Sequence, residues 1–206
     1  MKLVDPDGEA IYAYDEKTQL AIMGYMKKLF GETNIFKFKT NGNLEINHKE
    51  FRKYYKTATD DQKKLLDGFN EAIRSSKVAT VKIQDNDNYF SFQASNDKYI
   101  ADYKFKTESG CTSIEYLLFF GYAICINDKG IDANLLSAGT DESGNNLMIV
   151  PPVSSTFVHE TLDEFLNFLV KEKTTTKSKN IDKVDYQNTA LRILGIKERD
   201  GSDHNY

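Results

Sequence analysis

The sequence predicts an α+β protein, with helices towards both ends of the chain and a strand-rich middle. Three observations support this class. Apolar residues recur at three- and four-residue steps over residues 16–30 and 59–75, as on one face of a helix. Over 78–127 they largely alternate, as in strands, and helical spacing returns after two prolines at 151 and 152. The 206 residues suffice for one domain with a sizeable core, so we expect a mixed or antiparallel sheet packed against helices.

The first third of the chain carries local start and stop signals. A helix is predicted over Glu16–Phe30, ending at a glycine. A hairpin is predicted next, turning at Asn41-Gly42, because this dipeptide adopts the positive φ angles of a tight turn. Two helices follow: His48–Tyr55, and a second that begins with a capping box of Thr59 and Gln62.

The middle of the chain is expected to form strands. Residues 78–83 alternate, and residues 89–93 are the predicted partner across a polar turn at 85–88. Further strands are predicted over Tyr99–Lys106 and in the second half of residues 114–127. A polar loop over 141–146 then leads to a short strand at 147–150.

The last third is predicted to hold two helices. The first covers about 155–172, has a broad apolar face, and is expected to be capped by Ser154, Ser155 or Thr156. A Lys- and Thr-rich loop over 171–180 separates it from a helix over 184–194. The glycine at 195 is expected to end that helix.

Composition excludes several classes of function. The hydrophobic fraction is 40%, and no apolar run approaches the roughly 20 residues of a membrane span, so we expect a soluble protein without a membrane partner. Net charge is −4 and the basic residues are scattered, which argues against nucleic acid as a partner. Cys111 and Cys125 are too few for a disulfide scaffold and are expected to be buried thiols, with a single disulfide left open.

The start of the chain carries one short motif. Lys2-Leu3-Val4-Asp5-Pro6-Asp7-Gly8 is an extended piece that enters a Pro-Asp-Gly turn and lacks the apolar core of a secretory signal. It resembles the segment that closes the repeat core of Bacteroidetes-type Rhs (YD-repeat) proteins. That resemblance implies a junction tail at 1–8 and a single toxin-like domain at 9–206. The domain would then be secreted or delivered to a target cell as part of a larger protein, with the Rhs core as an N-terminal partner.

The candidate site is the segment His-Glu-Thr-Leu-Asp at 159–163. It differs by one letter from H-E-x-x-H, in which two histidines one helical turn apart bind zinc and the glutamate acts on its water. His159 and Asp163 fall on one helix face and could share a divalent ion. Glu160 would then be the general base. The alternative is a hydrogen bond between His159 and Asp163 that stabilises the helix by about 0.2–0.5 kcal/mol.

The end of the chain carries a second resemblance. Asn188, Arg192, Leu194-Gly195-Ile196 and Arg199 are similar to the closing segment of zincin-like effector metallopeptidases, and His159 precedes them at the family's distance. The resemblance implies a zincin-like fold, a C-terminal helix packed on the metal-site helix, bound zinc, and a protein substrate. Three positions depart from the family pattern. They are Asp163 for the second histidine, Gln187 for an acidic residue, and Asn180 for the expected third ligand.

Three hypotheses follow. The first is a zinc peptidase toxin that uses His159, Asp163 and Glu160, with an immunity protein as a further partner and Asp182, Asp185 or His204 as a substitute third ligand. The second is a metal-free or inactive relative. The third is an interaction domain that binds an immunity or adaptor protein through its acidic surface. His48, at a helix start, is expected to be a cap or a surface residue.

Overall fold

Helices precede and follow a strand-rich middle, which confirms the predicted α+β class. The computed structural model describes residues 11–75, 77–84, 89–96, 99–106, 111–116, 121–127, 136–171 and 184–202. The helices are α1 (Glu16–Phe30), α2 (His48–Tyr55), α3 (Asp60–Ile73), α4 (Val153–Val158), a π-helical segment (His159–Glu164), α5 (Phe165–Lys171) and α6 (Asp185–Ile193). The strands are β1 (Ile11–Ala13), β2 (Phe36–Phe38), β3 (Leu44–Ile46), β4 (Ala79–Gln84), β5 (Tyr89–Asn96), β6 (Tyr99–Lys106), β7 (Cys111–Tyr116), β8 (Gly121–Asn127), β9 (Leu136–Thr140) and β10 (Asn146–Ile149).

Four of the described strands form a mixed sheet in the order β1-β4-β8-β7. β4 runs parallel to both β1 and β8, and β7 runs antiparallel to β8. Parallel neighbours need a long crossover connection, and the helices α1, α2 and α3 with the β2–β3 hairpin supply it between β1 and β4. Of the two sheet types that the sequence left open, the mixed sheet is the one observed.

The pairing predicted for β4 is wrong. We expected residues 89–93 to pair with it, but β5 pairs instead with β6, with Tyr89 opposite Lys106. β4 cannot accept β5 because β1 and β8 already occupy both of its edges. Its side chains at Val81 and Ile83 are buried, as suits a strand with parallel neighbours on both sides. The predicted turn at 85–88 lies outside the described residues.

A second hairpin precedes the candidate site. β10 covers most of the predicted strand at 147–150, and it pairs with β9, which the sequence analysis missed. Strand β9 contains Ser137, Ala138 and Gly139, which are small residues with weak strand propensity. The loop between the strands is closed by Asp141, whose Oδ1 accepts hydrogen bonds from nearby backbone N–H groups.

The first third of the chain follows its local signals. The Asp15 carboxylate caps α1 by accepting from the Thr18 N–H at 2.8 Å. The predicted hairpin forms between β2 and β3, and Gly42 in its turn has φ of 87°. The predicted capping box is confirmed, because Thr59 and Gln62 each accept from the other's backbone N–H at the start of α3. These elements depend on residues within a few positions of each other.

Buried aromatic rings join α3 to α4. Phe69 and Phe157 are both fully buried and stack with their ring centroids 5.9 Å apart. Gly68 precedes Phe69 and lets two other elements approach α3 closely. A Cβ atom at Gly68 would lie 2.7 Å from the ring of Tyr186 on α6 and 3.0 Å from Leu162 in the π-helical segment. The core thus fixes the positions of α4, the π-helical segment and α6 around α3.

The predicted helix over 155–172 is present, but it is not a uniform α-helix. It starts at Val153, passes through the π-helical segment and continues as α5. The predicted hydroxyl cap is wrong. The N-cap residue is Pro152, and among the described residues no side chain caps this end. The Ser155 hydroxyl lies inside the first turn, beyond the N-cap position, and donates back to the Pro152 carbonyl at 2.8 Å.

The predicted helix over 184–194 is present as α6, which ends at Ile193; Leu194 is its C-cap, and Gly195, with φ of 69°, follows as expected. The chain then turns back. The Ile196 N–H donates to the Leu191 carbonyl at 2.9 Å, and the Asp200 N–H donates to Ser137 of β9 at 3.1 Å. The junction predicted at 1–8 and the loop predicted after Lys171 lie outside the described residues. None of the described helices combines the length and the apolar content of a membrane span.

Candidate functional site

The His-Glu-Thr-Leu-Asp segment occupies the π-helical segment His159–Glu164. This segment packs against α3, α6 and the edge strand β7. His159, Glu160 and Asp163 are all buried. A π-helix closes hydrogen bonds between residues five apart, and short π-helical turns inside α-helices are frequent at functional sites. Three buried ionisable side chains on such a turn form the strongest candidate site among the described residues.

His159 lies between two carboxylates. Its Nδ1 atom is 3.3 Å from Oδ2 of Asp163, so the predicted pairing of residues four apart is confirmed. Its Nε2 atom is 3.8 Å from Oε1 of Glu164. The sequence analysis missed Glu164, because residues five apart diverge on an α-helix and come together only when the helix widens to a π-turn. The residue spacing that predicts a helix here does not predict a π-helical turn within it.

Asp163 has a second role, which links the site to the C-terminal helix. Its Oδ1 accepts from the Tyr186 N–H at 2.8 Å, and its Oδ2 accepts from the Gln187 N–H at 2.9 Å. These are first-turn N–H groups of α6, and such groups have no partner within their own helix. The N-cap residue Val184 has no oxygen in its side chain. Asp163 therefore caps α6 from outside the helix, where the helix dipole also favours a negative charge.

The charges of the site are coupled. Burial lowers the pKa of His159, but the hydrogen bond that its imidazole donates to Asp163 and the negative charges of Glu160, Asp163 and Glu164 outweigh burial, so that pKa is raised above its ordinary value. Burial also raises the pKa of the Asp163 carboxyl, against the opposing effect of His159 and the two α6 N–H groups. The neighbouring carboxylates thus offset the effect of burial on the pKa of His159.

Glu160, the predicted general base, is also buried, and its negative charge raises the pKa of the neighbouring His159. A buried carboxylate beside an imidazole can exchange a proton with a bound water or substrate where bulk water is restricted. The structure therefore brings three predicted site residues, His159, Glu160 and Asp163, into one segment. It adds Glu164 to them.

Two residues of the closing segment, Asn188 and Arg199, are joined by hydrogen bonds that connect α6 to the chain that follows it. The Asn188 side chain donates to the Arg199 carbonyl at 2.9 Å and accepts from the Arg199 N–H at 2.8 Å. The Arg199 guanidinium donates to Oε1 of Gln187, the position where the family has an acidic residue. Arg192 instead faces outward and forms ion pairs with Asp61 and Glu198. Asn188 and Arg199 therefore hold the chain end against α6.

One predicted substitute ligand, Asp185, does not join the site. Asp185 is exposed and pairs with Lys64 at 2.6 Å. Asn180, Asp182 and His204 lie outside the described residues. His48 is an exposed residue in the first turn of α2, as expected, and the cap of that helix is its neighbour Asn47.

The donor atoms around His159 come close to the ligand spacing of zinc, but among the described residues they are too few. Zinc binds histidine nitrogen and carboxylate oxygen at about 2.0–2.2 Å in a tetrahedral arrangement, so two of its ligand atoms lie roughly 3.3–3.5 Å apart. The separation of His159 from Asp163, 3.3 Å, fits this value, and the 3.8 Å to Glu164 is slightly wider. Each pair alone is one ligand short of the three that a catalytic zinc takes from the protein. Within the described ranges, no three His, Cys, Asp or Glu side chains are grouped to hold a metal ion.

Comparisons with known proteins leave this geometry as the basis for function. No protein family, no curated protein and no solved structure matches the chain.

Proposed function

We propose that the chain is a zincin-like, zinc-dependent peptidase domain that acts as a toxin or effector and forms the C-terminal part of an Rhs-type protein. The observation that supports it most is the contact between Asp163 and the first turn of α6. The candidate metal segment and the closing segment each resembled the same family separately, and this contact brings them together. A packed C-terminal helix is also what that resemblance implies.

The proposed chemistry is hydrolysis of a peptide bond. His159 would be the nitrogen ligand, and zinc, when bound, would supply polarisation of the scissile carbonyl and a lower pKa for the attacking water. Glu160 accepts the proton from that water and passes it to the leaving amine. Burial of Glu160 and His159 limits access of bulk water, which strengthens their electrostatic effect on the reacting atoms. The partners proposed with this activity are a protein substrate, an immunity protein and the Rhs core.

A second candidate function is a metal-free relative that retains the arrangement without catalysis. It is favoured by the three hydrogen-bonding contacts of Asp163, to His159, Tyr186 and Gln187. A carboxylate engaged in this way has a structural role that requires no metal. In this case the domain would act by binding, for example to an immunity or adaptor protein.

Metal content separates the two candidates. We expect protein purified without chelator to contain about one zinc per chain by elemental analysis. Zinc added to stripped protein should raise its melting temperature, since a ligand at 100 times its Kd stabilises a protein by about 2.7 kcal/mol. Protein with neither bound zinc nor a shift in melting temperature would contradict the peptidase proposal and support the metal-free relative.

Activity provides a second test. Glu160→Gln should abolish toxicity in a bacterial host and cleavage of its protein target while the fold is retained, because the amide cannot take a proton from water. The matched control is Glu142→Gln, since Glu142 is an exposed residue of the β9–β10 loop. If Glu160→Gln remains as toxic as the control, Glu160 is not the base. A tight complex with an immunity protein that forms equally with both variants would favour the binding function.

A further inference from the structure

Helix α2 carries a continuous row of positive charges on one face. We propose that this face docks a second protein that presents a matching row of carboxylates. We call the four cations the basic row; they are Lys49, Arg52, Lys53 and Lys56, and all four are exposed. None of the candidate site residues belongs to this face, so its role does not depend on the proposed peptidase activity.

The spacing of the basic row places its members side by side. They occupy positions i, i+3, i+4 and i+7, which on a helix fall within an arc of about 100°. Lys56 follows the last residue of α2 but keeps right-handed helical backbone angles, so it continues the same face. Glu50, the acidic residue of α2, lies outside this arc. The fold thus gathers four positive charges on one face of a chain whose net charge is −4.

The opposite side of α2 fixes the helix on the protein. It carries three partly buried aromatic residues, Phe51, Tyr54 and Tyr55. Tyr54 packs edge-on against Phe30 of α1 with ring centroids 6.3 Å apart, and the Tyr55 hydroxyl donates to Oδ2 of Asp67 on α3 at 2.9 Å. Because α1 and α3 hold the aromatic side, the basic row points away from the core.

The basic row lacks the ion pairs that several other cations of the chain form. Lys37 pairs with Glu45 in the β2–β3 hairpin, and Lys64 pairs with Asp185. Within the described ranges, no carboxylate forms an ion pair with a member of the basic row. Like charges three and four positions apart repel each other and destabilise a helix. An opposing row of carboxylates would replace this repulsion with attraction and would fix the register of the partner.

The surroundings of the basic row favour a protein partner over nucleic acid. The row spans about two helical turns, roughly 10 Å. Carboxylates lie beside it, because Asp67 contacts Tyr55 and the exposed Asp60 begins the next helix. Duplex DNA carries one charge about every 1.7 Å and would extend beyond the row onto these carboxylates. The Tyr55 ring already stacks on Phe51 and lies under the Lys63 ammonium, so it is not an open platform for a base.

A lipid surface is also a poor match for this face. Helices that bind membranes insert exposed apolar side chains next to their cations. In α2, which is described over its whole length, no large apolar side chain is exposed. Arginine and tyrosine are instead the residue types enriched at the centres of protein–protein interfaces, and α2 places Arg52 one turn from Tyr55. A protein surface of limited size and opposite charge therefore fits best.

A designed peptide supplies the probe. A helical peptide of about 15 residues, stapled because short helices are marginal alone, would present four glutamates at positions i, i+3, i+4 and i+7. The control peptide has the same composition with its glutamates spread around the helix. Titrated into the full chain at about 0.15 M salt, the matched peptide should shift the backbone nitrogen-15 NMR signals of α2. It should bind at least about threefold more tightly than the control peptide. Equal affinity for the two peptides, or shifts that leave out α2, would overturn the proposal.

Paired variants test whether position matters more than net charge. Arg52→Gln combined with Lys53→Gln should weaken binding of the matched peptide by about three- to tenfold, the effect of two exposed ion pairs. Arg74→Gln combined with Lys197→Gln removes the same charge from exposed positions outside α2 and should bind as wild type does. Thermal unfolding should show the first variant at least as stable as wild type, because a repulsive pair is lost. Equal weakening in the two variants would overturn the proposal.

Other anionic partners are separated by the same NMR titration. A duplex DNA oligomer and phosphatidylserine vesicles, each at the same concentration of charge as the matched peptide, should shift the α2 signals less than the peptide does. Tighter binding of either through α2 would overturn the choice of a protein partner. Glu160→Gln should bind the matched peptide as wild type does, so failure of the peptidase proposal can be told apart from failure of this one.

Discussion

Helices α3 and α6 begin in two different ways. At α3 the cap is local: the Thr59 hydroxyl accepts from the Gln62 N–H at 3.2 Å, and the Gln62 side chain accepts from the Thr59 N–H at 3.1 Å. At α6 the cap comes from Asp163, which lies 23 residues before Tyr186 in the chain. The first cap is exposed and the second is buried.

The difference shows what each cap can affect. Loss of the Thr59 cap exposes backbone N–H groups to water, which can replace the missing partner. Loss of the Asp163 cap leaves N–H groups and the His159 imidazole buried, and it disturbs the site and the C-terminal helix together. A distant cap therefore couples the stability of α6 to the chemistry of the candidate site, whereas a local cap does not.

Asp163→Ala should have the largest effect. Removing one member of a buried charged pair costs about 3–5 kcal/mol, because the remaining charge and donors stay buried. The measurement is urea unfolding of the stripped protein, read as a lower midpoint at an unchanged slope. The matched control is the neighbouring Glu164→Ala, which should cost less than about 1 kcal/mol because it removes a partly exposed ion pair. Equal losses of unfolding free energy in the two variants would contradict the proposed structural role of Asp163 in holding α6.

Asn188→Ala should rank second, at about 2–3 kcal/mol. The change leaves both the N–H and the carbonyl of Arg199 without their buried side-chain partner. Asn188→Asp is the informative control, since it still accepts from the Arg199 N–H but sets a buried carboxylate oxygen against the Arg199 carbonyl, and it should lose at least as much. Chemical denaturation measures both. If Asn188→Ala is as stable as wild type, the hydrogen bonds between Asn188 and Arg199 do not hold the chain end against α6.

Glycine positions test how closely α6 must approach α3. Gly68→Ala should destabilise the protein by about 1–2 kcal/mol, because the new Cβ would lie 2.7 Å from the Tyr186 ring and force α6 outward. Gly24→Ala is the same substitution in α1, where no atom lies within 4 Å, and helix propensity should stabilise it by about 1 kcal/mol. The melting temperature should therefore fall in Gly68→Ala and rise in Gly24→Ala. A higher melting temperature in both variants would mean that the Tyr186 ring moves aside without cost.

Thr59→Ala should have the smallest effect, about 1 kcal/mol, because water replaces the lost hydroxyl at this exposed cap. Zinc binding and toxicity should be unchanged, in contrast to every change at Asp163. Thr59→Ser keeps the hydroxyl and should remain within a few tenths of a kcal/mol of wild type. A change in zinc affinity in Thr59→Ala would contradict the separation between local and distant caps.

The same contrast explains how much of the fold could be predicted. The α1 boundaries, the turn at Gly42 and the Thr59 capping box are set by residues within a few positions, and the structure confirms them. The pairing of β4 with β1 and β8 is set by burial between distant segments, and the polar turn beside β4 pointed to the wrong partner. Strand β9 was missed because its small residues carry little strand propensity without β10.

The site was predicted to a similar extent. Helical spacing alone placed His159 and Asp163 side by side. It could not give the contact with Glu164, which needs a π-helical turn, or the bonds to Tyr186 and Gln187, which need α6 to dock. Both depend on packing between segments far apart in the chain. Asp163 departs from the H-E-x-x-H pattern, and the physical reason for an aspartate at this position lies in α6, from whose N–H groups it accepts hydrogen bonds.

The unfolding free energy of Asp163→His, measured in the presence of a chelator, tests this account most directly. The substitution restores H-E-x-x-H, but a neutral imidazole has one acceptor nitrogen and cannot accept from both α6 N–H groups. We predict a loss of several kcal/mol, close to that of Asp163→Ala. If the metal-free variant is as stable as wild type, Asp163 does not hold α6, and its departure from histidine needs another explanation.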